Sequence, residues 1–162
     1  MGYTTEFEGK FVLNKPLDPH TYMLMRGLAE TRRMARKVPK KYGVEGEFYV
    51  GGKGYFGQEK EKNILDYNRP PATQPSLWLH WKPSDEATEI VWDGGEKFYE
   101  YEDWLRYLCD KILSPRGYEI NGSVKFQGEE SDDFGWLHSE KNDISLTHCP
   151  TGRLAKILFA YS

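Results

Sequence analysis

Cysteine is scarce in this chain of 162 residues, which contains only Cys109 and Cys149. No Cys-x-x-Cys pair occurs and the four histidines are scattered, so the ligand spacing of a closed zinc site is absent. We therefore predict no metal site and no cofactor. Cys109 falls inside a predicted helix, which favours a buried apolar role. A disulfide between the two cysteines stays open, although cytosolic proteins seldom use one.

Long apolar runs are also missing. No stretch approaches the roughly 20 residues that span a bilayer, and the N-terminal segment lacks the apolar core of a signal peptide. Charged residues make up 29% of the chain and give a net charge of -3, which is typical of an ordinary soluble surface rather than of a nucleic-acid coat protein. These features predict a soluble cytoplasmic protein without a membrane partner.

Familiar catalytic patterns do not occur either. The chain has no Gly-x-Ser-x-Gly nucleophile motif. Asp93 precedes two glycines and a predicted helix, but a tight turn explains this loop better than an anion site does. An acidic cluster later in the chain lacks the spacing of a calcium loop, so a solvated turn is favoured there. We predict no catalytic residues, and the hypothesis leans away from an enzyme. The acidic cluster comprises Glu129, Glu130, Asp132 and Asp133.

Apolar residues recur with strand-like and helix-like periods through most of the chain. Residues 4–14 and 118–128 alternate between apolar and polar side chains, which predicts half-buried strands. One helix is predicted to begin at Pro19, with Asp18 as its N-cap, and to continue into the basic residues that follow. The clearest helical spacing covers 101–112. Shorter strands are predicted over 46–52, 77–81, 88–93, 134–138 and 143–148.

Together these elements predict an α+β fold in which two helices pack on one face of a mainly antiparallel sheet. We expect residues 1–162 to form a single domain. Residues 42–52 and 118–128 align without a gap and share one tyrosine and two glycines, which indicates two pseudo-repeated β-α-β-β units. Matches of this size also arise by chance. The idea fails if the two segments have different backbone structures.

The stretch DYNRPPATQPSLWLHWKPS, residues 66–84, is rich in proline and tryptophan. Because proline stiffens the backbone, such a loop could hold side chains ready for a ligand with little loss of entropy on binding. The alternative, which we favour, is a stiff connector into a core strand. Alternation along that strand sends Leu77, Leu79 and Trp81 to one side and Trp78 and His80 to the other. The candidate binding residues in this stretch are Tyr67, Asn68, Gln74 and Trp78.

A basic run lies between Arg32 and Lys41, where six of ten residues are cations and none is acidic. Cations suit the C-terminal end of a helix, so a solvated helix end is one interpretation. Six charges exceed what such an end requires, and a surface for an acidic partner is the other. The candidate binding residues in the run are Arg32, Arg33, Arg36 and Lys37.

Several short motifs occur together in this chain: MGYTT at the N-terminus, YNRPP at 67–71, QPSLW at 74–78 and WDGGEKFY at 92–99. With them, and with GYEINGSV at 117–124, the chain resembles a family of small uncharacterised proteins from bacteria and phages over most of its length up to about residue 143. No activity is established for that family. The resemblance therefore implies an accessory intracellular protein and transfers no catalytic residue.

The leading hypothesis is a non-enzymatic intracellular binding module that recognises a protein or a small ligand through the proline-rich stretch, Trp78 and the basic run. In a phage, such a module could inhibit a host system. One alternative is a small hydrolase or nucleotide-handling enzyme that uses His80, Asp93 or the acidic cluster. Another is nucleic-acid binding through the basic run. The partner and the oligomeric state stay open.

Overall fold

The computed structural model of the chain describes residues 2–148, and within them two α-helices pack against a mainly antiparallel six-stranded sheet. The predicted α+β fold is thereby confirmed. The order across the sheet is β4-β5-β1-β6-β7-β8, and a separate small sheet pairs β2 with β3. In chain order the elements are β1 (Thr5–Leu13), α1 (Pro19–Glu30), β2 (Ala35–Arg36), β3 (Ile64–Asp66), β4 (Trp81–Pro83), β5 (Glu89–Trp92), α2 (Tyr101–Leu108), β6 (Ile120–Gly128), β7 (Phe134–Glu140) and β8 (Asp143–His148).

The centre of the sheet is the long pairing of β1 with β6, which sets Phe7 opposite Phe126. Two glycines with positive φ let these strands approach closely. A Cβ on Gly9 would lie 2.8 Å from the carbonyl oxygen of Ser123, and a Cβ on Gly122 equally close to that of Lys10. Side chains at either position would therefore push the two strands apart.

The sheet has one buried face, and both helices cover it. Alternation along the strands sends apolar residues inward and charged residues such as Glu8 and Lys125 to the open face. The helices add apolar stripes with helical spacing, so a single apolar core forms between sheet and helices. The central residues of this core are Phe11, Ile90, Ile120, Val124, Phe126 and Leu137 from the sheet with Met25, Leu28, Trp104, Leu105 and Leu108 from the helices.

Helix α1 begins as the sequence predicts. Pro19 takes the first turn, and a side-chain oxygen of Asp18 accepts a hydrogen bond of 2.9 Å from the backbone N–H of Thr21. The other oxygen accepts from the Tyr118 hydroxyl at 2.7 Å. These hydrogen bonds, the one from the Thr21 backbone above all, hold the pKa of Asp18 far below its ordinary value.

Helix α2 also matches its prediction, although its last part widens. After Leu108 the chain passes through a π-helical turn, Cys109–Leu113, and a 3-10 turn, Ser114–Arg116. Cys109 is buried, as expected, and this burial raises the pKa of its thiol to about 12. The thiol is therefore protonated and unreactive at neutral pH. Its pairing with Cys149 and the structure of residues 150–162 lie outside the described residues.

Residues 31–78, here called the connecting segment, differ most from the sequence predictions. Helix α1 ends at Glu30, before the basic run rather than within it. The strand predicted over 46–52 is wrong, because this stretch contains a 3-10 turn, Val44–Gly46, followed by irregular backbone. Of the strand predicted over 77–81, only Trp81 belongs to β4.

The pseudo-repeated units are not confirmed. Residues 118–128 contain the nine-residue strand β6, whereas residues 42–52 form turns, with Glu45 at a positive φ. The two segments thus have different backbone structures despite their aligned tyrosine and glycines. The glycines that the two segments share have different physical roles. Gly46 lies in a turn, whereas Gly122 lies in β6, where it allows close approach of β1.

Between residues 2 and 148, no helix is long and apolar enough to cross a membrane. A candidate site lies at the boundary between the connecting segment and the other described residues. Those residues, 2–30 and 79–148, are called the sheet body below.

Candidate functional site

The basic run does not form a solvated helix end. Arg33 and Arg36 are only 3% and 4% exposed, so two of the four basic side chains that were predicted to bind a partner point into the protein. Lys37 is exposed, and Arg32 is half-buried at the surface. The expected continuous basic surface is therefore interrupted, and two of its six cations are not available to the phosphates of a nucleic acid.

Arg33 organises the interior of the connecting segment. Its Nε donates to the side-chain oxygen of Gln74 at 3.2 Å, and one terminal nitrogen donates to the Thr31 hydroxyl at 2.7 Å. Burial lowers the pKa of Arg33 to about 10, so the guanidinium stays charged at neutral pH. The other terminal nitrogen donates to three carbonyl oxygens, those of Gly46, Glu47 and Tyr49.

Arg36 has a similar role for the following loop. It donates to the side chain of Asn63 at 2.9 Å and to the carbonyl of Gly57 at 3.0 Å, and it pairs with Glu61 at 3.3 Å. Its guanidinium also lies 4.9 Å from the ring centre of Tyr49. Arg36 is thus fully engaged within the protein.

Gln74 was predicted to bind a ligand, but it is only 4% exposed, and both the oxygen and the nitrogen of its side-chain amide are hydrogen-bonded within the protein. Its side-chain oxygen accepts from Arg33, and its side-chain nitrogen donates to the carbonyl of Glu47 at 2.7 Å and to the Tyr107 hydroxyl at 3.1 Å. That hydroxyl in turn donates to a side-chain oxygen of Glu47 at 2.8 Å. These contacts join the connecting segment to α2, which gives Gln74 a structural role.

Arg32, Tyr67 and Asn68 come together at the surface. The Arg32 Nε donates to the carbonyl of Tyr67 at 3.1 Å, and one terminal nitrogen donates to the side-chain oxygen of Asn68 at 3.3 Å. The Tyr67 hydroxyl is a buried atom with no hydrogen-bond partner among residues 2–148. The structure therefore brings three of the predicted binding residues together, and two hydrogen bonds fix the Arg32 guanidinium.

This arginine lies on an open groove of about 900 Å³ between the connecting segment and the sheet body. We call it the aromatic groove. Trp78 and His80 line it, while Leu79 and Trp81 are fully buried, as the alternation predicted, but Leu77, which was expected on the buried side, lines the groove as well. The residues that define the groove are Arg32, Phe56, Leu77, Trp78, His80, Asp93 and Tyr99.

Phe56 supplies a wall of the aromatic groove that the sequence analysis missed. Its ring stands nearly perpendicular to that of Trp78, with centres 5.2 Å apart, and it is 39% exposed. Phe56 has a φ of 55° within a turn of the Gly-x-Gly-x-x-Gly stretch 52–57. That stretch neither follows a strand nor opens an α-helix, so it is no dinucleotide loop. It does mark a tightly turned loop that presents an aromatic ring.

A histidine–carboxylate pair lies in the same groove. The Nδ1 of His80 is 3.0 Å from both side-chain oxygens of Asp93, and because a carboxylate only accepts, the imidazole donates. The backbone N–H of Gly95 donates to the same carboxylate at 2.7 Å. Helix α2 begins only at Tyr101, so the Asp-Gly-Gly loop is not placed at a helix N-terminus. The loop instead fixes the imidazole of His80.

Charges in the groove are unevenly compensated. Arg26, Arg69 and Arg106 each pair with a glutamate elsewhere on the surface. Arg32 has no ion pair with any residue that the structure describes, and neither does Lys97 beside the Asp-Gly-Gly loop. Arg32 is therefore a positioned cation at an apolar wall without an internal counter-ion.

The acidic cluster is engaged in contacts of its own. Asp133 accepts hydrogen bonds from the Tyr3 hydroxyl and, at 2.8 Å, from the His148 ring, while Glu129 accepts from the backbone N–H of Thr4 at 2.7 Å. Within the described part of the chain, no group of three or more potential ligands could hold a metal ion. The cluster lies apart from the aromatic groove, since none of its members lines it.

Comparisons of this chain with protein-family models, with curated proteins and with solved structures gave no match. A function for this chain is therefore inferred from the groove itself.

Proposed function

We propose that this chain is a non-enzymatic binding module whose aromatic groove recognises a protein segment or a small ligand. The observation that carries the proposal is Arg32, which two hydrogen bonds hold at the groove without a counter-ion in the described residues. Binding sites commonly combine an apolar concave wall with a few fixed polar groups, and arginine with tryptophan is frequent among residues that dominate binding energy. In a phage, an inhibitor of a host system would be one form of this function.

Of the eight predicted binding residues, the proposal keeps a subset. Arg32 and Trp78 line the groove, and Tyr67 and Asn68 support Arg32 from behind. Lys37 is exposed outside it and serves as a control. The buried residues of the set are instead assigned to the interior, namely Arg33, Arg36 and Gln74.

The test uses Phe56→Asn, which removes the aromatic wall. Asparagine tolerates the positive φ at this position, so the turn should be retained. Leu65→Asn is the matched control, because Leu65 is also an exposed apolar residue of the connecting segment but lies outside the groove. Both variants are first compared with the parent chain by circular dichroism and thermal unfolding.

A mixed set of small aromatic acids, amines and short peptides is then screened by protein-observed NMR. We expect chemical-shift changes at Trp78 and Phe56, with Trp136 on the other sheet face as an unaffected reference. Phe56→Asn should weaken binding about tenfold, equivalent to about 1.4 kcal/mol, and Leu65→Asn should leave it unchanged. Shifts confined to other surfaces, or no shifts with any compound, would contradict the proposed function.

A second candidate is a small hydrolase, favoured by the His80–Asp93 pair in the groove. A carboxylate that fixes Nδ1 leaves Nε2 available as a general base toward water. The nearby Ser76 hydroxyl is occupied, because it accepts from the Trp104 indole at 2.7 Å and contacts the Trp78 carbonyl. Turnover of p-nitrophenyl acetate or p-nitrophenyl phosphate that Asp93→Asn abolishes would support this candidate, and equal background rates for both proteins would remove it.

A further inference from the structure

The free face of Arg32 indicates what kind of group the aromatic groove accepts. Its Nε and one terminal nitrogen are used by Tyr67 and Asn68, while the other terminal nitrogen makes no hydrogen bond to residues 2–148. Charged groups at a partly apolar surface are stabilised by an opposite charge with matching donors and acceptors. The missing partner of Arg32 is therefore an anionic group with acceptor oxygens.

The rest of the groove favours a ligand that is only locally acidic. Asp93 and Glu96 line it together with the cations Arg32 and Lys97, and Asp93 accepts a hydrogen bond from His80. A polyanion such as nucleic acid would bring further negative charge toward these two carboxylates, which is unfavourable. A segment with one or two acids among uncharged residues avoids this repulsion.

Size and lining add a second requirement. About 900 Å³ lies near the upper limit for pockets that take small molecules, and the groove is open. Phe56, Trp78 and Tyr99 present aromatic surface along it. Tyr55, which is 79% exposed, contacts Phe56 with ring centres 3.8 Å apart. An extended chain several residues long can contact this surface and Arg32 at once.

We propose, on the basis of the binding function above, that the aromatic groove binds an extended segment of a protein partner. In this segment an aspartate or glutamate pairs with Arg32, and a large apolar side chain next to it packs against the exposed surface of Phe56 and Trp78. The carboxylate supplies the counter-ion that Arg32 lacks, and the aromatic walls supply the apolar contact.

A peptide array tests this directly. The probes are twelve-residue peptides with a central Trp, Phe, Leu or Ala, flanked on each side by Asp, Asn or Lys in an otherwise Gly-Ser sequence. Labelled protein is applied as the parent chain, as Arg32→Gln and as Lys37→Gln. The last variant is the matched control, because it removes one charge from the same basic run outside the groove. Arg32→Lys is a second variant that keeps the charge but loses the planar donor set.

The expected result is retention at least tenfold higher for Asp-flanked Trp or Phe peptides than for their Asn-flanked versions. Arg32→Gln should abolish this difference, Arg32→Lys should reduce it, and Lys37→Gln should retain it. Equal retention of Asp and Asn peptides, or an acid preference that persists in Arg32→Gln, would overturn the inference. Retention by none of the peptides would overturn it as well.

Two further probes separate other sources of negative charge. Free N-acetyltryptophan represents a small aromatic acid, and a twenty-nucleotide thymidine oligomer represents single-stranded DNA. If either probe binds at least as tightly as the best peptide, and if its binding depends on Arg32, the proposal of a peptide partner is refuted. Because the NMR screen above detects any occupant of the groove, it can support the proposed function even if the acid preference fails.

Discussion

In the sheet body, neighbouring strands satisfy each other's backbone groups, and side chains such as Phe11 and Ile90 lie in an apolar core. In the connecting segment, short turns replace strands, and the charged side chain of Arg33 donates to three backbone carbonyls. Buried carbonyl groups need a donor in either case. Where regular pairing does not supply one, a buried arginine does, so the same residue type that suggests a binding surface in the sequence serves as internal scaffolding.

The two regions meet through polar contacts as well as apolar ones. Tyr107 and Trp104 of α2 hydrogen-bond to Glu47 and Ser76 of the connecting segment. The aromatic groove lies along the same boundary, with Phe56 and Trp78 on one side and His80 on the other. A site built between two differently stabilised regions depends on both.

The largest expected effect is in the sheet body. Phe11→Ala should lower the free energy of unfolding by about 3 to 5 kcal/mol, because it leaves a cavity in a fully buried position. Urea unfolding followed by tryptophan fluorescence measures the change. The exposed Val12→Ala, next in the same strand, is the control and should change it by less than about 1 kcal/mol. Similar losses for both variants would contradict the central position of Phe11.

Arg33→Met tests whether the connecting segment depends on its buried cation. The change leaves several buried acceptors without a donor and should destabilise the protein by about 3 kcal/mol. In hydrogen exchange, we expect amides of residues 44–57 to lose protection first, while those of β1 and β6 keep theirs. Arg32→Met, at the half-buried neighbour, is the control. Uniform loss of protection through both regions would show that they unfold as one unit.

Tyr107→Phe tests the hydrogen bonds that join the sheet body to the connecting segment. It removes a hydroxyl that donates to Glu47 and accepts from Gln74, which should cost about 1 to 2 kcal/mol in urea unfolding. Tyr101→Phe serves as the control, because no hydrogen bond of its hydroxyl exists within residues 2–148. Equal effects of the two changes would mean that the Tyr107 contacts do not couple the regions.

The smallest effect concerns pH at the surface of the connecting segment. Hydrogen bonds from Arg69 chiefly, and from the backbone N–H of Ala72, lower the pKa of Glu45 to about 2 from its ordinary value near 4.5. A depressed pKa means that this pairing stabilises the fold above the ordinary value and is lost as the pH falls toward 2. Carboxyl-carbon NMR should show a Glu45 midpoint near 2 that rises in Arg69→Gln. An unchanged midpoint would contradict the pairing.

Sequence reasoning predicted those parts of the site that depend on local rules. The opposite placement of Trp78 and Trp81 was predicted, although Leu77 was expected with Trp81 and lines the groove instead. The extended connector expected from the prolines was wrong, because residues 72–77 form turns and bends. Sequence reasoning was also wrong about the end of α1 and about the exposure of Arg33 and Arg36. The sequence of the basic run does not distinguish a buried cation from an exposed one. Which of its cations is buried depends on carbonyls many residues away, such as that of Tyr49. Phe56 was missed for the same reason, since its partner Trp78 is distant along the chain.

The amino-acid sequence by itself determined the sheet, its buried face, the cap at Asp18 and the α2 stripe, because each follows from periods and neighbours within one element. Only the tertiary structure decided that Arg33 lies inside and Arg32 at the surface, and that the His80–Asp93 pair lies in the same groove as Arg32 and Phe56. The physical reason is range. Local patterning specifies an element, whereas the burial of a charge is settled by whichever distant backbone groups fold around it and satisfy its donors.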